Sequence, residues 1–322
     1  MVLLDLEECV MIRALSCAGV LVLVGTVAAA PDAAAHGFAG DRFFPATLQT
    51  DDPFTADEGT LGTVTKNPDD PTGGESYSYE FDISKRITRD SDFTIQYEWN
   101  YFQPKGQAAR DGFGTLTIGQ QYQLFVDGPH EAMALFGIQE SLGHTGAVNN
   151  GGADDHTTIS PTFDFGKGLG DLPDSLPWLR PFAITGNLSI DVPTRVNSTG
   201  TLNQEVFNAG FAIEYSLEYL QHHVQDVDIA PPFDHLIPLV EITSATPLNR
   251  GVVTGATNNF GFAATGVIAP GVIWSGQYYQ IGTELIIPYG EGQGHGIGGL
   301  VQFHLYLDDI FPNTVGRPLL GS

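Results

Sequence analysis

Basic residues are scarce in this sequence. Lysine occurs only four times in 322 residues, and Lys and Arg together number 13 against 38 Asp and Glu, for a formal net charge of −25. Because a protein that binds nucleic acid needs basic side chains to neutralise phosphates, this balance excludes nucleic acid as a partner. Charged residues make up 16 % of the chain, below the roughly 25 % of an ordinary soluble domain.

Cysteine is also nearly absent, and both copies, Cys9 and Cys17, lie close to the N-terminus. Around them the chain has the features of a secretory signal peptide: the basic Arg13, an apolar core and small residues up to Ala35. We therefore predict that residues 1–35 are cleaved off after export, with Met11 as the expected true start because residues 1–10 carry acids and no base. A mature chain without cysteine excludes disulfides, thiol catalysis and Cys-metal sites.

Long apolar runs and catalytic motifs are missing from the rest of the chain. No run of 18 apolar residues follows residue 35, so no membrane-spanning helix is expected. We find no HExxH spacing, GxSxG nucleophile motif or phosphate-binding loop. The sequence therefore predicts no catalytic residue, no metal site and no cofactor, and we do not expect an enzyme.

The clearest positive pattern is strict alternation of apolar and polar residues, which is typical of β-strands with two different faces. Several of these runs have nine or more residues, whereas ordinary strands average about 5–6 and a tilted strand needs about 9–11 to cross a bilayer. Eleven segments are candidates: 76–84, 93–101, 115–124, 131–141, 156–165, 182–190, 207–219, 236–244, 266–274, 279–288 and 299–307.

Alternation alone fits two all-β folds. A soluble, secreted β-sandwich that binds a partner would bury the apolar face in its core, whereas a membrane barrel would turn that face to lipid. Strand length, the signal peptide, the scarcity of lysine and polar faces rich in Ser, Thr, Gln and Asn favour an antiparallel transmembrane β-barrel. Single-chain bacterial barrels have an even number of strands. We therefore predict twelve, with ten as the alternative, and expect the missing strand in 251–264 or in the N-terminal segment.

The predicted organisation has four parts. The leader 1–35 precedes an N-terminal segment, 36–73, which lacks sustained alternation and is either a plug in the lumen or an extension outside it. The barrel is expected over 74–312, and a C-terminal tail over 313–322.

Polar positions between apolar neighbours should line the lumen. The functional interpretation is a path that favours cations, since charged rings in a pore select by sign. The alternative is a closed network of satisfied charges, with Arg86, Arg89 and Arg180 as partners. The predicted lumen-lining residues are Glu80, Asp82, Glu98, Asp164, Glu214, Glu218, Glu284, Gln302 and His304.

The C-terminal third carries a family resemblance. It lies in the segments PGVIWSG at 270–276, YQIGTE at 279–284 and QFHLYLDDIFP at 302–312, together with the predicted mature start at 36–54. These resemble the outer-membrane β-barrel family labelled as belonging to the MetA pathway of phenol degradation, whose members are described as transporters. The resemblance implies a porin-like barrel in the outer membrane of a Gram-negative bacterium and passive uptake of small, aromatic or apolar molecules. Its partners would be the lipid bilayer, the barrel-assembly machinery and a small-molecule solute. Barrel chains usually end on the aromatic residue of the last strand, and the tail 313–322 departs from that pattern.

Overall fold

The computed structural model describes residues 37–194, 203–248, 265–290 and 296–321. The predicted leader 1–35 and the candidate strand segment 251–264 lie outside these residues. Within the described ranges the chain is almost entirely β-structure. Its strands are β1 (Phe38–Ala39), β2 (Arg42–Phe43), β3 (Glu58–Lys66), β4 (Glu75–Thr88), β5 (Ser91–Gln103), β6 (Arg110–Phe113), β7 (Leu116–Asp127), β8 (Ala132–Leu142), β9 (Thr158–Gly168), β10 (Phe182–Pro193), β11 (Val206–Tyr215), β12 (Leu236–Pro247), β13 (Thr265–Ser275), β14 (Tyr279–Tyr289) and β15 (Gly298–Tyr306).

Twelve long strands, β3–β5 and β7–β15, form one closed antiparallel barrel. Each pairs with its neighbours along the chain, and β3 pairs with β15 to close the ring, with Val64 opposite Val301. Closure removes the free strand edges that an open sheet would expose. The prediction of an all-β, twelve-stranded barrel is confirmed, and the alternative of a soluble β-sandwich is not supported.

The strand that completes the count, β3, lies in the N-terminal segment. The barrel therefore starts at Glu58, and the predicted boundary at residue 74 is wrong. A β-bulge explains why alternation missed this strand: the register shifts between Thr60 and Thr63, and the exposed apolar residues Leu61 and Val64 are three positions apart instead of two. A bulge inserts one extra residue and so breaks the period-2 pattern.

The two faces of the barrel differ in polarity. Leu285 and Val301 point outward and are each 53 % exposed, whereas the neighbouring positions Glu284 and Gln302 are 3 % and 7 % exposed. An apolar outer face around a polar interior is the arrangement of a barrel surrounded by lipid. The protein is accordingly located in the outer membrane.

One end of the barrel, which we call the terminal end, holds the start of β3 and the end of β15. It carries the short helical elements α1 (Leu217–Tyr219) and α2 (Leu307–Ile310), a π-helical turn over Leu220–Val224 and a 3₁₀ turn over Phe233–His235. A further 3₁₀ turn covers Pro177–Leu179. No helix within the described ranges is long and apolar enough to cross a membrane.

The barrel wall ends before the predicted boundary at residue 312, because β15 stops at Tyr306 and α2 follows. The tail then returns to the barrel wall. The backbone N–H of Leu319 donates to the carbonyl of Arg86 at 3.1 Å, and that of Leu320 donates to the carbonyl of Ile87 at 2.7 Å. These bonds attach the tail to the terminal end of β4.

Candidate functional site

The candidate site is the barrel interior, into which the chain inserts the segment before β3. Residues 37–57, here called the inner segment, begin with the β1–β2 hairpin and continue without regular structure to Glu58. They contact the inward-facing side chains of strands all around the ring.

Apolar side chains fix the inner segment at two places. Phe44 and Phe54 pack with Met133 and Ala183 in one buried cluster. Leu48 packs in a second cluster with side chains of β12–β15, which are Ile237, Leu239, Ile273, Ile286 and Leu300. Burying one such phenylalanine or leucine contributes about 1.5–3 kcal/mol. The hydrophobic core of this protein therefore lies inside the barrel, between the inner segment and the wall.

Polar side chains of the wall satisfy the backbone of the inner segment. Glu241 accepts hydrogen bonds from the backbone N–H groups of Leu48 at 2.8 Å and Gln49 at 2.7 Å. The Gln280 side chain donates to the Ala46 carbonyl at 2.6 Å. A buried backbone without sheet or helix partners needs such side-chain partners.

Gln123 provides hydrogen-bond partners for the backbone in the second half of the inner segment. Its Nε2 donates to the Pro53 carbonyl at 3.0 Å, and its Oε1 accepts from the Thr55 N–H at 3.1 Å. The carboxylate of Asp51 accepts hydrogen bonds from Gln139 at 2.9 Å and Asn187 at 3.3 Å. Wall residues from β7, β8, β10, β12 and β14 thus hold the inner segment from several sides.

Ion pairs hold both ends of the inner segment. Near its start, the buried Arg42 pairs with Glu131 at 3.2 Å and donates to the Pro181 carbonyl at 3.0 Å. Its guanidinium lies 3.7 Å from the ring centre of Tyr219, whose hydroxyl donates to Glu131 at 2.6 Å. Burial, together with that hydrogen bond, raises the pKa of Tyr219 to about 12.

At the other end of the inner segment, Asp57 is fully buried and pairs with Lys85 and with Arg86, the latter at 2.8 Å. Arg86 also lies 3.5 Å from Asp308 on α2. Lys85 donates to the Val315 carbonyl of the tail at 2.8 Å. One cluster of charges therefore joins the inner segment, the second barrel strand and the tail.

Eight of the nine predicted lumen residues lie on inward-facing strand positions. Five of them are buried: Asp164, Glu214, Glu284, Gln302 and His304. Glu80, Asp82 and Glu98 are partly buried and alternate with outward-facing aromatic or aliphatic neighbours. Glu214 accepts from Thr185 at 3.1 Å, and His304 contacts Thr60 at 3.0 Å and Glu58 at 3.2 Å.

Glu218 is the exception, and its placement on the predicted strand 207–219 is wrong. Strand β11 ends at Tyr215, and Glu218 lies on α1 at the terminal end. The reason is local: the Ser216 side chain accepts a hydrogen bond from the Tyr219 N–H at 3.1 Å and caps a helical turn. Serine followed by an acid in the first turn is the usual start of a helix, a signal that the sequence contains.

Of the three arginines expected to neutralise the lumen carboxylates, Arg86 and Arg180 pair with other acids. Arg86 pairs with Asp57 and Asp308, while Arg180 pairs with Asp174 in a loop at 3.3 Å. Within the described ranges, no Lys or Arg lies at ion-pair distance from the six inward carboxylates, which are Glu80, Asp82, Glu98, Asp164, Glu214 and Glu284. Nor do three His, Cys, Asp or Glu side chains converge there as a metal site.

Sequence reasoning missed several residues that hold the inner segment, above all Glu241, Gln280 and Gln123. Glu241 lies between the apolar Val240 and Ile242 on β12, so alternation alone could have assigned it to the inner face.

A cavity of about 230 Å³ remains in the lumen beside the inner segment. It lies between Gln49 and Thr50 of the inner segment and polar wall positions such as Asn187, Asn208 and Thr243.

Comparisons with known proteins support the fold. No family model matches the chain, and no curated protein matches it. Among solved structures, an outer membrane channel from Pseudomonas putida F1 is similar with a TM-score of 0.57 and 11 % identity, over 79 % of this chain and 96 % of that one. The NanC porin has a TM-score of 0.46 and 10 % identity, over 76 % of this chain and 99 % of that one. At these identities, the first likeness shows a shared barrel fold and the second adds no argument.

Proposed function

We propose that this protein is an outer-membrane channel for the passive uptake of small molecules, narrowed by the inner segment 37–57 acting as a plug. The observation that carries the proposal is the closed barrel whose outer face is apolar and whose inner face is polar and acidic. A polar interior inside an apolar wall suits the passage of polar solutes across a membrane. The channel fold shared with the Pseudomonas protein supports the same conclusion.

The charge of the inner face favours cations over anions. Six inward carboxylates have no Lys or Arg at ion-pair distance in the described ranges. A low-dielectric wall concentrates the field of such charges and raises the local concentration of cations. Because the plug fills part of the lumen and leaves a cavity of about 230 Å³, the solutes that pass are small. The resemblance to the phenol-degradation family adds aromatic compounds to the candidates.

The terminal end should face the periplasm. It carries the tight turns at 89–90, 128–131 and 276–278 in addition to the longer connections 169–181 and 216–235. The described connections at the opposite end, 67–74, 104–115 and 143–157, include no tight turn. Outer-membrane barrels have short turns on the periplasmic side and long loops outside. In this orientation the plug enters the barrel from the periplasm, and the tail binds the wall on the same side.

Ion selectivity of the purified protein in a planar bilayer tests the proposal. We expect cation preference under a salt gradient, which weakens as the Debye length falls from ~10 Å at 0.1 M to ~3 Å at 1 M. The double variant Glu98→Gln with Glu214→Gln should reduce the preference, because both carboxylates lie on the inner face. Asp111→Asn, an exposed carboxylate of β6 outside the barrel wall, is the matched control and should change nothing.

A preference for anions would contradict the inference that the inward carboxylates attract cations. No conductance from the wild type, combined with none from a variant in which the Arg42–Glu131 pair is removed, would contradict the channel itself. Heat-dependent gel migration of each variant establishes that the barrel has folded before conductance is compared.

A further inference from the structure

A second and larger cavity, of about 490 Å³, lies at the terminal end, and we call it the terminal cavity. The β1–β2 hairpin forms one wall, and α1, the turn after β13 and α2 form the others. Its volume is within the range of about 300–1,000 Å³ that is typical of small-molecule sites. None of the lumen residues discussed above except Glu218, which the structure moves out of the lumen, lines it.

Three carboxylates from three different elements line the terminal cavity. Asp41 comes from the β1–β2 turn, Glu218 from α1 and Asp309 from α2. Among the described residues that line the cavity there is no Lys or Arg, and the lining bases are histidines. His223 lies 3.8 Å from Asp41, and His235 lies 3.4 Å from Glu218. The described lining therefore has three carboxylates and no permanently charged base.

Aromatic rings supply the apolar part of the lining. Phe38 and Phe43 have ring centres 5.1 Å apart, and Phe38 is 36 % exposed despite its size. Cations are attracted to the face of an aromatic ring, by about 0.5–1 kcal/mol at exposed sites and ~2 when desolvated. Carboxylates beside the exposed ring of Phe38 and the partly buried ring of Phe43 therefore suit a ligand that carries a positive charge next to an apolar group.

The lining argues for an organic cation over a metal ion. In the described part of the chain, no three His, Asp or Glu side chains converge closely enough to hold a metal. The three carboxylates instead lie on separate walls of a space large enough for a molecule with a ring. An ammonium group can donate to one or two of them while its apolar part covers Phe38 and Phe43.

We propose that the terminal cavity binds small organic ammonium ions, with the charged group at Glu218, Asp309 and Asp41 and the apolar group on Phe38 and Phe43. This binding goes beyond the proposed channel activity and is measured without transport. If the channel proposal also holds, the cavity lies where a solute enters or leaves the plugged barrel, because the β1–β2 hairpin of the plug forms its wall.

Binding of benzylammonium to the mature, detergent-solubilised protein tests this site by isothermal titration calorimetry. Benzyl alcohol and benzoate are the matched neutral and anionic probes. We expect saturable binding of benzylammonium and at least about tenfold weaker binding of the other two, a tenfold change being ~1.4 kcal/mol. Glu218→Gln and Asp309→Asn should each weaken benzylammonium binding severalfold, and Phe38→Leu should weaken it by about two- to thirtyfold. Asp111→Asn serves as the control.

Several outcomes would overturn the proposal. Equal binding of the three probes would show that charge plays no part, and unchanged binding in a folded Glu218→Gln, Asp309→Asn double variant would place the ligand elsewhere. Loss of binding in Glu284→Gln instead would locate the probe in the lumen. Cation-selective conductance without benzylammonium binding would support the proposed channel and refute only the proposed binding site in the terminal cavity.

Discussion

Replacing Val301 with arginine tests whether the outer face of β15 contacts lipid. Gln302 is the middle residue of β15, which spans Gly298–Tyr306. Val301 directly precedes it and points outward. Its neighbours across the sheet are Thr283 and Val64, neither of which offers a counter-charge. An arginine at this position would put its guanidinium into the apolar part of the bilayer.

The expected loss of unfolding free energy depends on how deep in the membrane the arginine is placed. With a rise of ~3.4 Å per residue and a tilt of about 40°, Val301 lies ~3 Å from the level of Gln302 along the membrane normal. Ile297, five residues from Gln302, lies ~13 Å away, at the edge of an apolar band about 25 Å tall. Arginine costs about 2–4 kcal/mol at the midplane and ~0–1 near the interface. We therefore expect Val301→Arg to destabilise the barrel by about 2–4 kcal/mol and Ile297→Arg by ~0–1 kcal/mol.

Urea titration of the protein in phospholipid vesicles measures both free energies of unfolding. Tryptophan fluorescence and heat-dependent gel migration report the folded fraction independently. Ile297→Arg is the matched control, since it introduces the same side chain directly before the same strand, at a different depth in the membrane. Equal costs at the two positions, or a larger cost at Ile297, would mean that the register of β15 or its contact with lipid is wrong.

Two further predictions concern the attachment of the plug. Arg42→Ala removes the ion pair with Glu131 and should raise the conductance of the reconstituted protein. Arg110→Ala, on the exposed β6, is the control and should leave conductance unchanged. Equal conductance in both variants would contradict the anchoring role of Arg42. Burial, together with the hydrogen bond to Glu131, raises the pKa of Tyr219 to about 12. The stabilisation that depends on the neutral tyrosine is therefore complete below pH ~10 and is lost as the pH rises through ~12. Ultraviolet titration should show one tyrosine fewer ionising near pH 12 in Tyr219→Phe than in the wild type, and an unchanged number would contradict the assignment.

Much of the wall could be predicted from local pattern. The predicted segment 279–288 is observed as Tyr279–Tyr289, and 236–244 as Leu236–Pro247. Successive side chains of a strand point to opposite faces, so the polarity of each residue indicates its face once the strand is recognised. The even strand number then required a twelfth strand, which β3 provides.

Local pattern failed where a local structure interrupts the period. The bulge near Thr60 moved the outward residues of β3 out of alternation. The cap at Ser216 ended β11 four residues before the predicted end at residue 219, and so took Glu218 out of the lumen.

By itself, the sequence determined eleven of the twelve wall strands and their two faces, because alternation depends on residues one or two positions apart. Only the tertiary structure decided where residues 37–57 lie. That segment has no period of its own, and its partners are far along the chain: Glu131 is 89 positions from Arg42, and Glu241 is 193 from Leu48. Such contacts form only when the ring closes and brings inward-facing side chains of separate strands around one segment. Closure of the barrel, a property of all twelve strands together, thus makes an irregular segment into the core of the protein.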